Sequence, residues 1–444
     1  MKILFVSLGC DKNLVDTESM LGLLYGKGFT FTDEEQEADV IIINTCCFIH
    51  DAKEESINTI LQMAEYKTKG ICKALIVTGC LAQRYQQEIL KEIPEVDALV
   101  GTAEYEKIAQ IVQCVLKGKK TKEAFSLEGR PKVMKDRILT TGGYYAYLKI
   151  AEGCDKCCTY CIIPKIRGKY RSIEMEDLVA QAENLAKKGV KELILVAQET
   201  TLYGVDLYQE KCLPELLRRL CKIQGLVWIR ILYCYPEEIT QELVQVMKEE
   251  KKICHYLDIP IQHASDVVLK RMGRRTTKQE LIDKIQMLRR EIPDIVLRTT
   301  LISGFPGETL RDHEELMKFI DEMEFERLGV FTYSQEEDTP AANMPEQLEE
   351  EVKESRRNEA MELQQEIAFD FSEGCIGKEM LVMIEGKIAG ENAYIGRTYM
   401  DAPGVDGNIF ITTDEEMMSG DFVKVKVTGA CEYDLIGEIL YEKM

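Results

Sequence analysis

Gly153-Cys154-Asp155-Lys156-Cys157-Cys158-Thr159-Tyr160-Cys161 sets three thiols, Cys154, Cys158 and Cys161, at the spacing C-x₃-C-x₂-C. A tight loop with this spacing folds three thiolates around one iron–sulfur cubane and leaves the fourth iron without a protein ligand. Zinc is the competing metal, but structural zinc is normally closed by four ligands. No convincing fourth ligand stands close by: His255 and His263 are distant and read as polar residues at strand ends.

A second set of thiols is dispersed in the chain. Cys10, Cys46 and Cys80 follow the apolar runs Val6-Ser7-Leu8-Gly9, Ile43-Asn44-Thr45 and Val77-Thr78-Gly79. Ligands collect outside the carboxyl ends of strands in an open parallel sheet, so three such strands would bring these thiols to one edge. Gly9 and Gly79 permit the sharp turn and close approach that such a site needs. Three thiolates with no fourth partner again suit a cluster with an open iron better than zinc. Inert core cysteines are the alternative, and Cys47 competes with Cys46 as the ligand. Cys72, Cys114, Cys212, Cys221, Cys234 and Cys254 read as small buried hydrophobes.

The elements that must position these residues follow from apolar patterning. In residues 1–116 the strands Ile3–Leu8, Asp39–Asn44 and Ala74–Thr78 alternate with helices at Leu14–Tyr25, Ala52–Tyr66 and Gln83–Glu92, which predicts an open parallel sheet. A charged stretch, 117–139, reads as a linker. Residues 140–371 resume the alternation with strands at Tyr145–Ile150, Glu192–Ala197, Val227–Tyr233, Tyr256–Ile261, Val296–Ser303 and Leu328–Thr332. Helices at Met175–Lys188, Leu213–Gln224, Gln241–Glu250, Lys278–Glu291 and Leu310–Met323 complete a partial (β/α)6 barrel, closed by a helical run Glu346–Phe371. Residues 372–444 alternate short Val/Ile/Tyr runs with Gly and Asp, as in Leu381–Glu385 and Phe422–Val427, and predict a small antiparallel β-barrel. The fold class is α/β with three domains, and the C-x₃-C-x₂-C loop follows the first barrel strand, at the functional end of such a fold.

Composition narrows the classes. The 444 residues are 45% hydrophobic and 30% charged, with a net charge of −21, a globular and soluble composition. No apolar run reaches the ~18 residues of a membrane span, and the opening Met1–Gly9 segment reads as a buried strand of a cytoplasmic protein rather than a signal. Sixteen cysteines in a chain of this size argue for metal binding rather than a disulfide scaffold. Residues 345–444 hold 23 acidic and 9 basic residues, two-thirds of the net charge.

The C-x₃-C-x₂-C loop at the first strand of a partial barrel resembles the radical S-adenosylmethionine (SAM) superfamily. With the N-terminal three-cysteine domain and a C-terminal TRAM-like barrel, nearly the whole chain resembles the radical SAM methylthiotransferase family. Ser7-Leu8-Gly9-Cys10-Asp11-Lys12-Asn13-Leu14-Val15-Asp16-Thr17-Glu18 is similar to the branch that modifies a ribosomal protein. Ala197-Gln198-Glu199-Thr200-Thr201-Leu202-Tyr203-Gly204, Asp258-Ile259-Pro260-Ile261-Gln262-His263-Ala264-Ser265 and Gly304-Phe305-Pro306-Gly307-Glu308-Thr309 also match the family. Asp11, Cys47 and Cys157 depart from it, standing where Pro, Gly and a basic residue are usual; none removes a motif ligand.

The resemblance implies two 4Fe–4S clusters, one on Cys154, Cys158 and Cys161 and one on Cys10, Cys46 and Cys80. It implies SAM as both methyl and radical source, through reductive cleavage to methionine and a 5′-deoxyadenosyl radical. The implied reaction converts an aspartate of a small-subunit ribosomal protein, protein twelve, to 3-methylthioaspartate. An aliphatic C–H has no acidic proton, so acid–base residues cannot replace a radical cofactor here. A bound SAM needs polar partners at strand ends. Gln198 and Glu199 would accept from its ammonium, Arg298 or the basic loop Lys165–Arg171 would meet its carboxylate, and Gly304 and Gly307 would let backbone approach the adenine. The implied partners are a basic ribosomal protein, an electron donor and a sulfur donor, with no membrane. The alternatives are a tRNA (adenosine) methylthiotransferase of the MiaB type and a non-catalytic metal-binding protein. The acidic C-terminal region disfavours tRNA, because binding to phosphates draws on Lys and Arg.

Overall fold

The computed structural model describes residues 1–119, 125–134 and 136–441. Residues 120–124 and 135 of the expected linker therefore lie outside the described residues.

The N-terminal unit is a five-stranded, all-parallel sheet of β1 (Lys2–Ser7), β2 (Thr30–Phe31), β3 (Val40–Thr45), β4 (Ala74–Gly79) and β5 (Ala98–Val100), in the order β2-β1-β3-β4-β5. The helices α1 (Asp11–Tyr25), α2 (His50–Lys69), α3 (Cys80–Glu92) and α4 (Ile108–Leu116) cover its faces. β3 and β4 are buried along their whole length, which is why they read as continuous apolar runs rather than alternating ones. The strand order reverses between β1 and β3, and that reversal opens the crevice in which doubly wound sheets bind ligands. The two- and three-residue strands β2 and β5, and helix α4, are additions to the sequence reading.

The central unit opens with β6 (Tyr145–Lys149) and a two-stranded ribbon, β7 (Ala151–Glu152) and β8 (Arg171–Ser172), with helix α5 (Ile163–Arg167) in the loop between them. There follow α6 (Met175–Lys187), β9 (Glu192–Val196), α7 (Val205–Tyr208), α8 (Leu213–Cys221), β10 (Trp228–Ile231), α9 (Gln241–Glu249), β11 (Ile253–Asp258), α10 (Asp266–Arg271), α11 (Lys278–Glu291), β12 (Val296–Ser303), α12 (Leu310–Met323) and β13 (Arg327–Thr332). The parallel sheet runs β13-β12-β11-β10-β9-β6 and is open, as a partial barrel requires. Capping boxes fix two helix starts: Thr277 with Glu280 opens α11, and Thr309 with Asp312 opens α12. β11 begins three residues before the expected Tyr256, where Ile253 pairs with Ile229 of β10, and it ends at Asp258, short of Pro260, which has no N–H for the ladder. The chain still follows β12 beyond that point through Ile259 N–H to Arg298 O at 2.8 Å and Gln262 N–H to Thr300 O at 2.9 Å.

Helix α13 (Glu350–Glu373) starts later than the expected Glu346, whose backbone is left-handed. It leads into a closed barrel of β14 (Glu379–Lys387), β15 (Ala393–Arg397), β16 (Ile409–Thr412), β17 (Phe422–Cys431) and β18 (Asp434–Ile439), ordered β14-β15-β16-β18-β17. Four of its pairings are antiparallel, as expected, and β16–β18 is parallel.

One apolar core lies between the central sheet and its outer helices, with Leu148, Leu195, Ile231 and Leu257. The other face of the same strands, with Tyr147, Ile194, Trp228 and Tyr256, shares a core with Met383, Tyr394, Ile409 and Val425 of the C-terminal barrel. Trp228 and Phe422 meet edge to face at 4.8 Å between ring centres. Among the described residues no helix is long and apolar enough to cross a membrane.

Candidate functional site

The cysteine loop is a closed excursion from the barrel. The β7–β8 ribbon joins its two ends, and Cys154 N–H donates to Gly168 O at 3.1 Å. Its middle is tied down by Thr159 N–H to Met272 O at 2.9 Å and Ala341 N–H to Thr159 O at 2.8 Å. Cys154 and Cys158 are buried and Cys161 is half-buried. Cys158 Sγ lies 3.6 Å from the Tyr235 hydroxyl. Burial pushes the Cys154 thiol up to about 12 and the Cys161 thiol higher still, with the neighbouring sulfurs adding to each shift. Thiols in so dry a place ionise when a metal supplies the opposing charge, so the donor set fits an iron–sulfur cluster. Cys157 is exposed, with its backbone in the left-handed region.

Glu199 lies past the end of β9 and has one oxygen without a partner. Its Oε1 accepts from Thr201 N–H at 2.9 Å and from the Thr201 hydroxyl, while Oε2 is buried and unpaired. Burial raises its carboxyl to about 7 against the opposing pull of Thr201 and Lys156. A buried, unpaired carboxylate oxygen costs free energy until a donor arrives, which marks a place for a cationic ligand group. Gln198 has a different part. Its Oε1 accepts from Gly153 N–H and its Nε2 donates to Glu152 Oε1, both at 2.9 Å, so it braces the start of the cysteine loop.

Arg298 reaches toward the C-terminal barrel, with Nη1 donating to Asp258 Oδ1 at 3.0 Å and Nε 3.3 Å from Asp406 Oδ1. It lines a cavity of about 340 Å³ with Arg327, Gln364 and Asp406. Gly304 is left-handed, and a side chain there would collide with Lys353 of α13; a side chain at Gly307 would collide with Arg271. The close approach at both glycines is therefore to protein. The basic loop divides: Lys165 is exposed, Arg171 donates to Gly129 O at 2.9 Å and Arg167 O at 2.7 Å, and Arg167 is buried.

The N-terminal thiols meet at the β1/β3 crevice. A Cβ on Gly9 would stand 2.7 Å from Cys46 Cβ and 3.1 Å from its Sγ, and φ at Gly9 is +87°, so glycine is required where the Cys10 turn crosses Cys46. Asn13 of α1 ties the turns together, donating to Leu8 O and Thr45 O at 3.0 Å each. Ser56 of α2 clamps Cys46, accepting from its N–H at 3.0 Å and donating to its C=O at 2.8 Å. Burial pushes the Cys80 thiol up to about 12 and raises Cys46 as well; the Cys46 and Cys10 sulfurs add to the shift at Cys80, and Cys10 adds to that at Cys46. Cys47 is also buried, in the same apolar cluster as Cys80, and burial raises its thiol with the Cys80 and Cys46 sulfurs adding to the shift. Among the described residues no three His, Cys, Asp or Glu side chains converge on a single-ion position.

Sequence reasoning missed Asn13, Asp16, Ser56 and Glu152 as parts of these sites, and it placed Arg167, within the basic loop, toward the SAM carboxylate rather than beside Cys80. Asn13 and Asp16 carried a signal: they stand three apart on a helix and share a face, next to Cys10.

Residues 148–320 match the model of the radical SAM superfamily, 376–440 match the TRAM domain, and 2–101 match a model described as uncharacterized protein family UPF0004. Among solved structures, the radical SAM methyltransferase TsrM from Kitasatospora setae, with cobalamin and a [4Fe-4S] cluster bound, aligns at a TM-score of 0.57 and 13% identity, covering 85% of this chain and 78% of its own. The cobalamin-dependent SAM radical enzyme OxsB aligns at 0.51 and 13%, covering 82% and 56%. Fold and cysteine loop together thus define a radical SAM protein. Curated relatives narrow the class. Ribosomal protein uS12 methylthiotransferase RimO of Lachnoclostridium phytofermentans is 64% identical, over 98% of this chain and 99% of its own length. RimO of Acetivibrio thermocellus is 52% identical over 99% of both chains, and that of Clostridioides difficile 50% over 100% and 99%. The chain belongs to the RimO family of ribosomal protein uS12 methylthiotransferases, enzymes that transfer a methylthio group, and the family implies SAM and 4Fe–4S chemistry.

Proposed function

We propose that this enzyme converts an aspartate side chain of ribosomal protein uS12 to 3-methylthioaspartate, with one 4Fe–4S cluster on Cys154, Cys158 and Cys161 and a second on Cys10, Cys46 and Cys80. The observation that supports the two-cluster reading is the presence of two separate three-thiol groups that follow parallel strands, each with two of its thiols buried, Cys46 and Cys80 in one and Cys154 and Cys158 in the other, while Cys10 is exposed and Cys161 half-buried. A ribosomal substrate places the reaction in the cytoplasm and calls for an external electron donor and sulfur donor.

Bound at the loop, a cluster and SAM supply the radical chemistry that an unactivated C–H bond demands. The chain's own residues do the rest. Glu199 Oε2 receives the SAM ammonium, and Gln198 holds Glu152 and Gly153 so that the loop stays in place. Asp258 and Asp406 hold the Arg298 guanidinium on the side of the C-terminal barrel, so it would meet the SAM carboxylate only by turning from them. Gly304 and Gly307 keep the β12–α12 turn close against α13 and α10, shaping the wall beside the adenine. Cys46, facing the Cys10 turn, is the ligand rather than Cys47.

Anaerobic reconstitution, followed by mass spectrometry of uS12 and of tRNA incubated with SAM and reductant, tests the reaction. A methylthio group on tRNA with uS12 unmodified would overturn it. Replacing Cys10, Cys46 and Cys80 together with Ala should cut iron and sulfide by about half if the clusters have equal nuclearity, while 5′-deoxyadenosine still forms. Cys46→Ala should show the loss that Cys47→Ala does not.

The docking side follows from charge. Asp414, Glu415 and Glu416 form an exposed turn of the C-terminal barrel. An acidic surface attracts a basic protein and speeds its encounter. Asp414→Lys, Glu415→Lys and Glu416→Lys combined should weaken uS12 binding and flatten its salt dependence in titrations of the full chain. Unchanged affinity at low salt would remove this turn from the interface.

A further inference from the structure

We propose that Arg167 is a positioning residue that joins the two cysteine sites, docking the N-terminal sheet edge on the barrel loop and supplying the counter-charge to the Cys80 thiolate of the metal-loaded protein.

Its guanidinium is 2% exposed and meets four acceptors from three parts of the chain. Nη1 donates to Asp16 Oδ2 of α1 at 2.9 Å and to Glu152 Oε2 of β7 at 3.2 Å. Nη2 donates to Asn13 Oδ1 and lies 3.5 Å from Cys80 Sγ. Lys149 of β6 shares both carboxylates, bonding Asp16 and, at 2.7 Å, Glu152. Two cations and two carboxylates thus balance in a closed interface, and the thiolates of a cluster would add negative charge on one side only. Arg167 is the member of this group that faces the sulfur.

The same guanidinium is connected to the other site. Glu152 accepts from Gln198, and Gln198 accepts from Gly153 N–H, the residue before Cys154. Arg167 itself ends α5, which begins two residues after Cys161. The loop that presents one thiol set therefore carries the counter-charge of the other. A planar fork of five donors can serve four acceptors at once, whereas an ammonium cannot copy that geometry. Hydrogen bonds and charge beside cluster sulfurs raise the reduction potential, because they favour the reduced, more negative state.

This inference rests on the reading of Cys10, Cys46 and Cys80 as a cluster site, and the test separates the two. In the full chain carrying Cys154→Ala, Cys158→Ala and Cys161→Ala, reconstituted anaerobically, the remaining cluster is counted by iron and sulfide and titrated by electron paramagnetic resonance. Arg167→Met in this background should shift its potential to more negative values. Arg167→Lys should shift it less in the same direction. A residue that merely braces the interface would lower the melting temperature and leave the potential in place, and that result overturns the assignment. If Arg167→Met does not fold, Arg167→Lys is read alone, and an unchanged potential overturns the proposal. Loss of the cluster from both variants in chains that still fold supports it. Absence of any cluster from the parent background overturns the cluster reading and this inference together.

Discussion

Replacing Cys154, Cys158 and Cys161 together with Ala is expected to abolish 5′-deoxyadenosine formation by the reduced, reconstituted protein. The loss should be complete, because Cys157, the thiol that remains in the loop, cannot replace three ligands. Misfolding would not explain it. The loop is held by backbone bonds, Cys154 to Gly168, Thr159 to Met272 and Ala341 to Thr159, none of which uses a thiol. The N-terminal site should keep its iron, so the total falls by about half and not to zero. Cys157→Ala is the internal control: that residue is exposed and lies outside the C-x₃-C-x₂-C pattern, so its variant should cleave SAM like the parent. Wild-type cleavage by the triple variant would remove the loop from the chemistry.

Much of this arrangement is legible in the sequence because it follows from strand ends. Cys10, Cys46 and Cys80 each come directly after an apolar run, and a parallel sheet has one carboxyl edge, so their convergence needs no knowledge of the packing. The loop of Cys154, Cys158 and Cys161 is local in sequence and is legible for that reason. Glu199 is legible as a strand-end carboxylate, although its unpaired oxygen is not, since that depends on Thr201 occupying the other one.

What joins the units is harder to read. Arg167 sits in a run, Lys165-Ile166-Arg167-Gly168-Lys169-Tyr170-Arg171, whose composition fits a solvated surface or an anion site equally well. Its burial depends on acceptors from α1 and β7, one of them more than 150 positions earlier in the chain. The meeting of the barrel with the C-terminal unit left a fainter trace. In Trp228-Ile229-Arg230-Ile231-Leu232, Ile229 and Ile231 face the helices, while Trp228, Arg230 and Leu232 fall on the opposite face. An arginine on the inward face of a barrel strand signals a buried polar partner, and the period of two makes the face identifiable. The partner's identity comes from tertiary structure alone.

That partner supports the second large effect. Glu192, fully buried on β9, lies between two buried arginines: Arg230 Nε at 2.8 Å on the neighbouring strand, and Arg397 Nη1 at 3.2 Å on β15 of the C-terminal barrel. Glu192→Ala removes the shared anion. Arg397 would keep Glu385 at 3.0 Å, but Arg230 would be left with backbone carbonyls, Tyr399 O at 2.7 Å and Thr398 O at 3.5 Å. Stranding a charge in this way typically costs about 3–5 kcal/mol. Urea unfolding of the full chain should show that loss, and Glu192→Gln, which keeps the shape and a hydrogen bond, should lose less. Burial alone would raise the Glu192 carboxyl, but Arg397 and Arg230 outweigh it and hold it below the usual range. A carboxyl with a lowered native value stabilises the fold above its unfolded value, about 4.3, and the contribution fades as pH falls through the native value. The gap between the parent and Glu192→Gln should therefore be constant from neutral pH to about 5 and close at lower pH. A gap that widened on acidification, or a Glu192→Ala chain as stable as the parent, would show that this triad does not hold the barrels together.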